Sequence, residues 1–333
     1  MGDAAKGVRQ LVLMHGRDDA RRLFNGDRSL IDIASQVLSD DSGQRGYSYS
    51  GLCLTSLPHR RMGDDQAWER TVGPLTLIIE PGRMKIGPGP ATFVGVPFGA
   101  RGRLILIYLQ TQAVLTNSRE VSLGRSMREW LGRMGVSVGG ETARAFREQA
   151  RRLATCSMRF HWQATSTRVT AGDGEGSAES IIERAVGTGI SNQQLIKSGL
   201  FFHEGAKRDE RQGSLWEDRV VLDADFYKTL REHPVPLRDA AVRELKENSP
   251  ALDIYVWLSF RLHHLERRTP ISWRDLHAQF GSEYRLLKHF RPRFLENLAR
   301  AVAAYPEAKV DVEETHIMLH PSPPPVPKLA SGR

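Results

Sequence analysis

The chain has 333 residues, 40% hydrophobic and 26% charged, with a formal net charge of +8 and two cysteines. That is enough chain for two domains with cores of ordinary size, and too few cysteines for a disulfide scaffold or a Cys-based zinc site. The longest apolar run, Leu104 to Leu109, falls far short of the ~18 residues of a membrane span, and the N-terminus has no signal-peptide apolar core, so a cytoplasmic, membrane-free protein is expected. The positive excess is mostly Arg, which grips phosphate or guanine through two parallel hydrogen bonds and so points to nucleic acid.

Residues 1–50 are polar and broken by Gly and Asp. One patch, Leu30, Ile31, Ala34, Val37 and Leu38, keeps helical spacing, so a flexible arm with one short amphipathic helix is expected. LTLIIE (75–80) reads as a strand, and PGRMKIGPGP after it as a Gly/Pro loop. A strongly apolar helix is expected from about Arg101. Leu123, Met127, Trp130, Leu131 and Met134 form one apolar face, and Gly135 and Gly139-Gly140 bracket a turn. A second helix, Glu141 to Leu153, turns Ala143, Phe146, Ala150 and Leu153 inward. Cys156 to Gln163 then alternates like a strand. Helix, short turn, helix, strand is the order of a winged helix-turn-helix, with 171–180 as an insertion or wing tip. Arg144, Arg147, Arg151 and Arg152 fall on the outer face of the second helix, and Arg168 follows on the wing side.

Residues 215–232 read as strand then helix. HPVPLRD (233–239) carries two prolines and marks a short, stiff boundary between domains. The pattern then repeats: an apolar helix from Leu252 to Leu265, a short helix opened by Ser272, a cationic helix and a hairpin. In the cationic helix Leu287, Phe290, Phe294, Leu298 and Ala301 line one face, with Tyr305 after them. Arg285, Lys288, His289, Arg291, Arg293, Asn297 and Arg300 supply the groups for groove contact. Pro292 suits a first helical turn, so the main helix is expected to start there. AKVDV, a turn at 313–315 and HIMLH make the wing.

The expected fold is therefore α+β, mostly helical, with two winged-helix domains in tandem. The expected division is an arm 1–50, a first domain 51–233, a second domain 234–320 and a Pro-rich disordered tail 321–333. Catalytic readings are weaker. Asp223-x-Asp225 after an apolar strand could hold metal ions, but acidic capping of a helix start explains it as well. His263-His264 are adjacent rather than spaced as in nicking enzymes, and His316 and His320 fall on the wing. No P-loop spacing is present. No enzyme activity, cofactor or metal is expected.

VGVPFGARGRLILIYLQTQAVLTNSREVSLGRSMREWLGRMG, GGETARAFREQARRL, GLCLTSLPHRR and the tail HFRPRFLENLARAVAAYP resemble the plasmid-encoded RepA replication initiators, over roughly residues 50–327. The resemblance implies binding of repeated sites in double-stranded plasmid origin DNA, duplex opening, and recruitment of the host initiator and replicative helicase. It also implies homodimerisation, autorepression and a place at the plasmid or nucleoid of a bacterial cell. A winged-helix repressor without a replication role is the alternative, since both need the same groove-reading surfaces.

Overall fold

The structure is a computed structural model that describes residues 2–85, 88–162, 190–193, 195–199 and 218–326. It is a mixed α/β fold built around two helices that are apolar on all sides, α4 (Gly99–Leu115) and α9 (Ser249–Arg261). A helix without a polar stripe must be covered on every face, and these two are. Asn248 opens α9 by accepting from Ala251 N at 3.0 Å, with Pro250 in the first turn. Among the described residues no helix is long and apolar enough to cross a membrane.

Around α4 the order is β6 (Glu120–Gly124), α5 (Met127–Arg133), α6 (Gly140–Thr155), and, later, β9 (Ile196–Gly199), β10 (Asp218–Leu222) and α7 (Ala224–Glu232). Strands β6, β10 and β9 form an antiparallel sheet with β10 in the centre. The strand after α6, β7 (Ser157–Trp162), does not join that sheet. It pairs with β3 (Leu75–Glu80) in a sheet ordered β2 (Trp68–Val72), β3, β7, β8 (Ile190–Gln193). The reason is packing: Met158 and Phe160 lie opposite Ile79 and Leu77, and all four are buried. The expected wing tip at 171–180 and Arg168 lie outside the described residues.

The second half repeats the order more simply. After α8 (Asp239–Leu245) and α9 come β12 (Thr269–Ser272), α10 (Trp273–Phe280), α11 (Leu287–Ala303), β13 (Val310–Val312) and β14 (His316–Leu319). The sheet order is β12-β14-β13, all antiparallel. Helix α11 begins at Leu287, five residues before the expected start, with Pro292 inside it. Leu286 N-caps it, accepting from His289 N and Phe290 N, so the helix is nucleated before the proline. Leu287, expected to face inward, is exposed, while Phe290, Phe294, Leu298 and Ala301 are buried.

The N-terminal 50 residues are not a loose arm. Helices α1 (Gly2–Leu23, broken at Gly16, φ 71°) and α2 (Ser29–Leu38) pack on each other and on α11, and α2 also packs on α8. Ile31, Ala34 and Val37 are buried there. The prolines of 233–239 do not form a free joint either. They lie in β11 (Pro234–Arg238), paired antiparallel with β1 (Arg45–Tyr49), Pro236 opposite Tyr47 and Pro234 opposite Tyr49. Tyr47 N and Tyr49 N turn the other way, donating to Thr111 Oγ1 (2.8 Å) and Gln110 Oε1 (2.6 Å) of α4. The prolines therefore occupy positions where the ladder needs no N–H. The first six tail residues are also fixed: Ser322 and Val326 are buried, and Pro323 O accepts from Tyr305 Oη at 2.6 Å.

Candidate nucleic-acid interface

The second helix pair is opened by Ser272, whose Oγ accepts from Asp275 N at 3.1 Å. Its first residue, Trp273, is buried and donates Nε1–H to Glu314 O at 2.9 Å. Arg291 of α11 lies 4.6 Å over the Trp273 ring and donates to Glu313 O at 3.3 Å. The turn between β13 and β14 is thus pinned to both helices, and α11 and the hairpin move as one unit.

The amino-terminal end of α11 is the exposed part. Arg285, Lys288 and His289 are exposed and form no ion pair with the described residues. Arg285 lies just before the helix rather than on it. Arg293 is exposed and paired with Glu296 at 2.9 Å, a contact that a phosphate can displace. Farther along, Asn297 Nδ2 donates to Arg293 O at 2.8 Å, and Arg300 pairs with Asp27 of the loop between α1 and α2 at 2.8 Å. These last two residues serve the protein itself. The hairpin tip carries exposed Glu313 and Glu314, so the charge beside the helix is mixed, not uniformly positive.

The first helix pair is built in the same way. Ser126 caps α5 by accepting from Glu129 N (3.1 Å), and Glu129 Oε2 accepts in return from Arg125 N (2.9 Å). Gly135 turns the chain at φ 66°, where a side chain would meet Arg243. Lys246 Nζ, from the second half, donates to Gly135 O at 2.6 Å. Helix α6 buries Phe146, Ala150 and Leu153, and Phe146 meets Trp130 edge to face at 6.1 Å.

Of the four arginines on α6, Arg144 is exposed and Arg147 and Arg151 are half-buried with contacts to the protein. Arg152 is a correction. It is 2% exposed, pairs with Glu148 (2.8 Å) and Asp64 (3.0 Å), and donates to Val96 O at 3.2 Å. A face assigned by periodicity alone cannot see that residues 64 and 96 fold back over it.

The candidate chemical groups have structural partners. Asp223 Oδ1 accepts from Asp225 N (2.9 Å) and Phe226 N (3.3 Å), which is the cap of α7. His263 and His264 donate Nδ1–H to Ser259 O and Phe260 O. His320 pairs with Asp311 at 2.7 Å. Among the described residues no three His, Cys, Asp or Glu side chains are grouped for a metal. Cys53 and Cys156 are free and buried, and burial pushes the Cys156 thiol up to about 12.

Residues 96–275, more than half of the chain, match the family described as plasmid encoded RepA protein. The chain belongs to this family of plasmid replication initiators. The RepA match spans α4 to the start of α10, and α11 with its hairpin lies beyond it. Two solved structures are similar in fold. Domains 2–3 of RctB (residues 155–483) share 13% identity, with 81% of this chain and 94% of that one covered and a TM-score of 0.45. A selenomethionine form of RctB domains 2 and 3 shares 11%, with 80% and 92% covered and a TM-score of 0.47. No curated protein matches the chain.

One cluster had escaped the sequence reading. Arg103 of α4 and Asp253 of α9 are charges set among apolar neighbours, and they form a bidentate pair across the seam between the halves. A charge inside a largely apolar helix is the signal that could have found each of them.

Proposed function

We propose that this RepA-family initiator binds origin DNA as a double-stranded duplex through two winged helices in tandem, with α6 and α11 as the groove-reading helices. Arg285, Lys288 and His289 at the start of α11, exposed and without an ion pair among the described residues, carry the reading, because a helix enters the major groove by its amino-terminal end. The helix–strand–helix–helix–hairpin order around the β12-β14-β13 sheet supports it. Arg144, with Arg147 and Arg151 behind it, is the corresponding group on α6.

Binding at repeated sites promotes duplex opening and brings in the host initiator and replicative helicase. The protein works without catalysis, cofactor or metal, as a cytoplasmic, nucleoid-associated protein able to pair with a second copy. Two unlike reading helices on one chain favour a long directional site over a palindrome. Footprinting the full chain on its own plasmid's DNA tests this: protection of repeated origin sites is expected, and no preference for origin over random duplex would overturn it.

A further inference from the structure

The stretch between Pro81 and Gly95 is used by neither reading helix. It contains Arg83 and Lys85 and no Asp or Glu; the next carboxylate along the chain is Glu120. Two-residue strands, β4 (Arg83–Met84) and β5 (Thr92–Phe93), pair antiparallel to make a hairpin. So short a ladder cannot hold a hairpin by itself. It is held at its base.

Val94 N donates to Gly82 O at 3.1 Å across the neck. Gly82 lies against the carbonyl of Thr155, the last residue of α6, so closely that no Cβ would fit. Gly95, at φ 77°, leaves room for the Arg152 guanidinium, which donates to Val96 O one residue on. Glu80, just before the neck, pairs with Arg159 at 2.5 Å. The arginine that sequence placed on the DNA face is thus the clamp that fixes this hairpin to the end of the first reading helix.

Beyond the clamp the described residues of the hairpin tip stand in solvent. Arg83, Lys85, Pro88, Gly89, Pro90, Ala91, Thr92 and Phe93 are all exposed, and neither cation forms an ion pair with the described residues. Arg83 lies 4.4 Å over the Phe93 ring.

We propose that this hairpin is a third DNA contact: it enters the minor groove of duplex DNA beside the segment read by α6. The inference rests on the proposed reading of α6. Three observations favour this partner. The charge is positive and uncompensated, as phosphate requires. Pro88, Gly89, Pro90 and Ala91 carry no long side chains, which suits a groove of about 6 Å that admits no helix, and proline rings can wedge a base step. A single strand would need a free aromatic platform, and the hairpin's one aromatic side chain among the described residues, Phe93, already carries Arg83 on one face.

The test is hydroxyl-radical footprinting and a salt titration of the full chain on its own origin. Wild type is compared with Arg83→Ala/Lys85→Ala, whose exposed side chains leave melting unchanged. The wild type should protect a flank beyond the α6 segment, and the minor-groove ligand netropsin should remove that flank alone. The double variant should lose the flank, keep the inner footprint, lower the log–log salt slope by about 2 and bind roughly 30-fold more weakly near 150 mM salt. An unchanged flank and slope, or a flank insensitive to netropsin, overturns the proposal while leaving α6 as a reader. Absence of any origin footprint in the wild type overturns the α6 reading and the hairpin with it.

Discussion

Arg103 and Asp253 face each other across the seam between α4 and α9, with Nε to Oδ1 at 2.6 Å and Nη2 to Oδ2 at 2.8 Å. Arg103 also donates to Leu57 O, Pro58 O and Gly99 O, so every N–H of its guanidinium is used in a site with almost no solvent. Gln279 of α10 donates to Leu54 O at 3.0 Å nearby, and Arg70 donates to Gln279 O and Ser282 Oγ. The two halves are therefore joined by hydrogen-bonded charges rather than by apolar area alone.

A buried pair that loses one member leaves the other uncompensated. Asp253→Ala or Arg103→Ala alone should cost about 3–5 kcal/mol in chemical denaturation, while Arg103→Met with Asp253→Leu should lie much nearer wild type. Equal losses in the single and double variants would show that packing, not charge, holds the seam.

His59 lies in the same seam, sharing a hydrogen bond with Ser249 Oγ at 3.0 Å and 3.8 Å from Asp253 Oδ2. Burial first, then Arg103, with Arg70 and Arg60 behind it, pushes its pKa down to about 4 against the pull of Asp253. The unfolded chain binds the proton near the ordinary value of about 6.5, so it holds more protons than the folded chain between those limits. The contribution is complete above pH 6.5 and is lost as pH falls toward 4, by up to about 3 kcal/mol. His59→Gln should flatten that part of the stability–pH curve, measured by denaturant midpoints from pH 4 to 8.

The cations of α11 divide by what they touch. Lys288→Ala should weaken binding at all sequences and reduce the salt slope by about 1, because Lys288 is exposed and forms no ion pair with the described residues. Arg300→Ala and Arg152→Ala should leave the slope unchanged. Arg152→Ala should lower the melting temperature most, since it removes a buried guanidinium, leaves Asp64 and Glu148 to Arg61, and frees the Val96 carbonyl. A salt slope that falls equally for Lys288 and Arg152 would contradict this division.

The hairpin turn beside α11 presents Glu313 and Glu314 to solvent, while its carbonyls hold Trp273 and Arg291. Glu313→Gln with Glu314→Gln keeps those backbone bonds and removes two negative charges from the surface proposed to meet DNA. Affinity for origin DNA should rise several-fold at low salt, with the gain shrinking as salt screens it. Unchanged affinity at every salt concentration would place this turn away from the duplex.

Local pattern was enough for many of the helices and strands, though not for α1 (Gly2–Leu23), in the stretch read as an arm, or β4 (Arg83–Met84), in the stretch read as a loop. The apolar runs of α4 and α9, the Ser272 cap, the Gly135 turn and the alternation of Met158 and Phe160 are written in neighbouring residues, because capping, turn geometry and periodicity are local. The acidic cap at Asp223 was legible for the same reason.

Partner choice over long separations was not legible. Periodicity places Arg152 on the outer face of α6 but cannot know that Asp64 and Val96 cover it, 88 and 56 residues away. It shows Ser157–Trp162 as a strand but not that its partner is Leu75–Glu80 rather than a wing. It shows Pro234 and Pro236 as extended but not that Arg45–Tyr49 lies beside them with its Tyr47 and Tyr49 N–H groups turned to α4. Sequence by itself determined the strongly patterned elements, their order and the family resemblance. Only the tertiary structure decided which charges are spent inside the fold and which stay exposed, because burial depends on contacts that no local window contains.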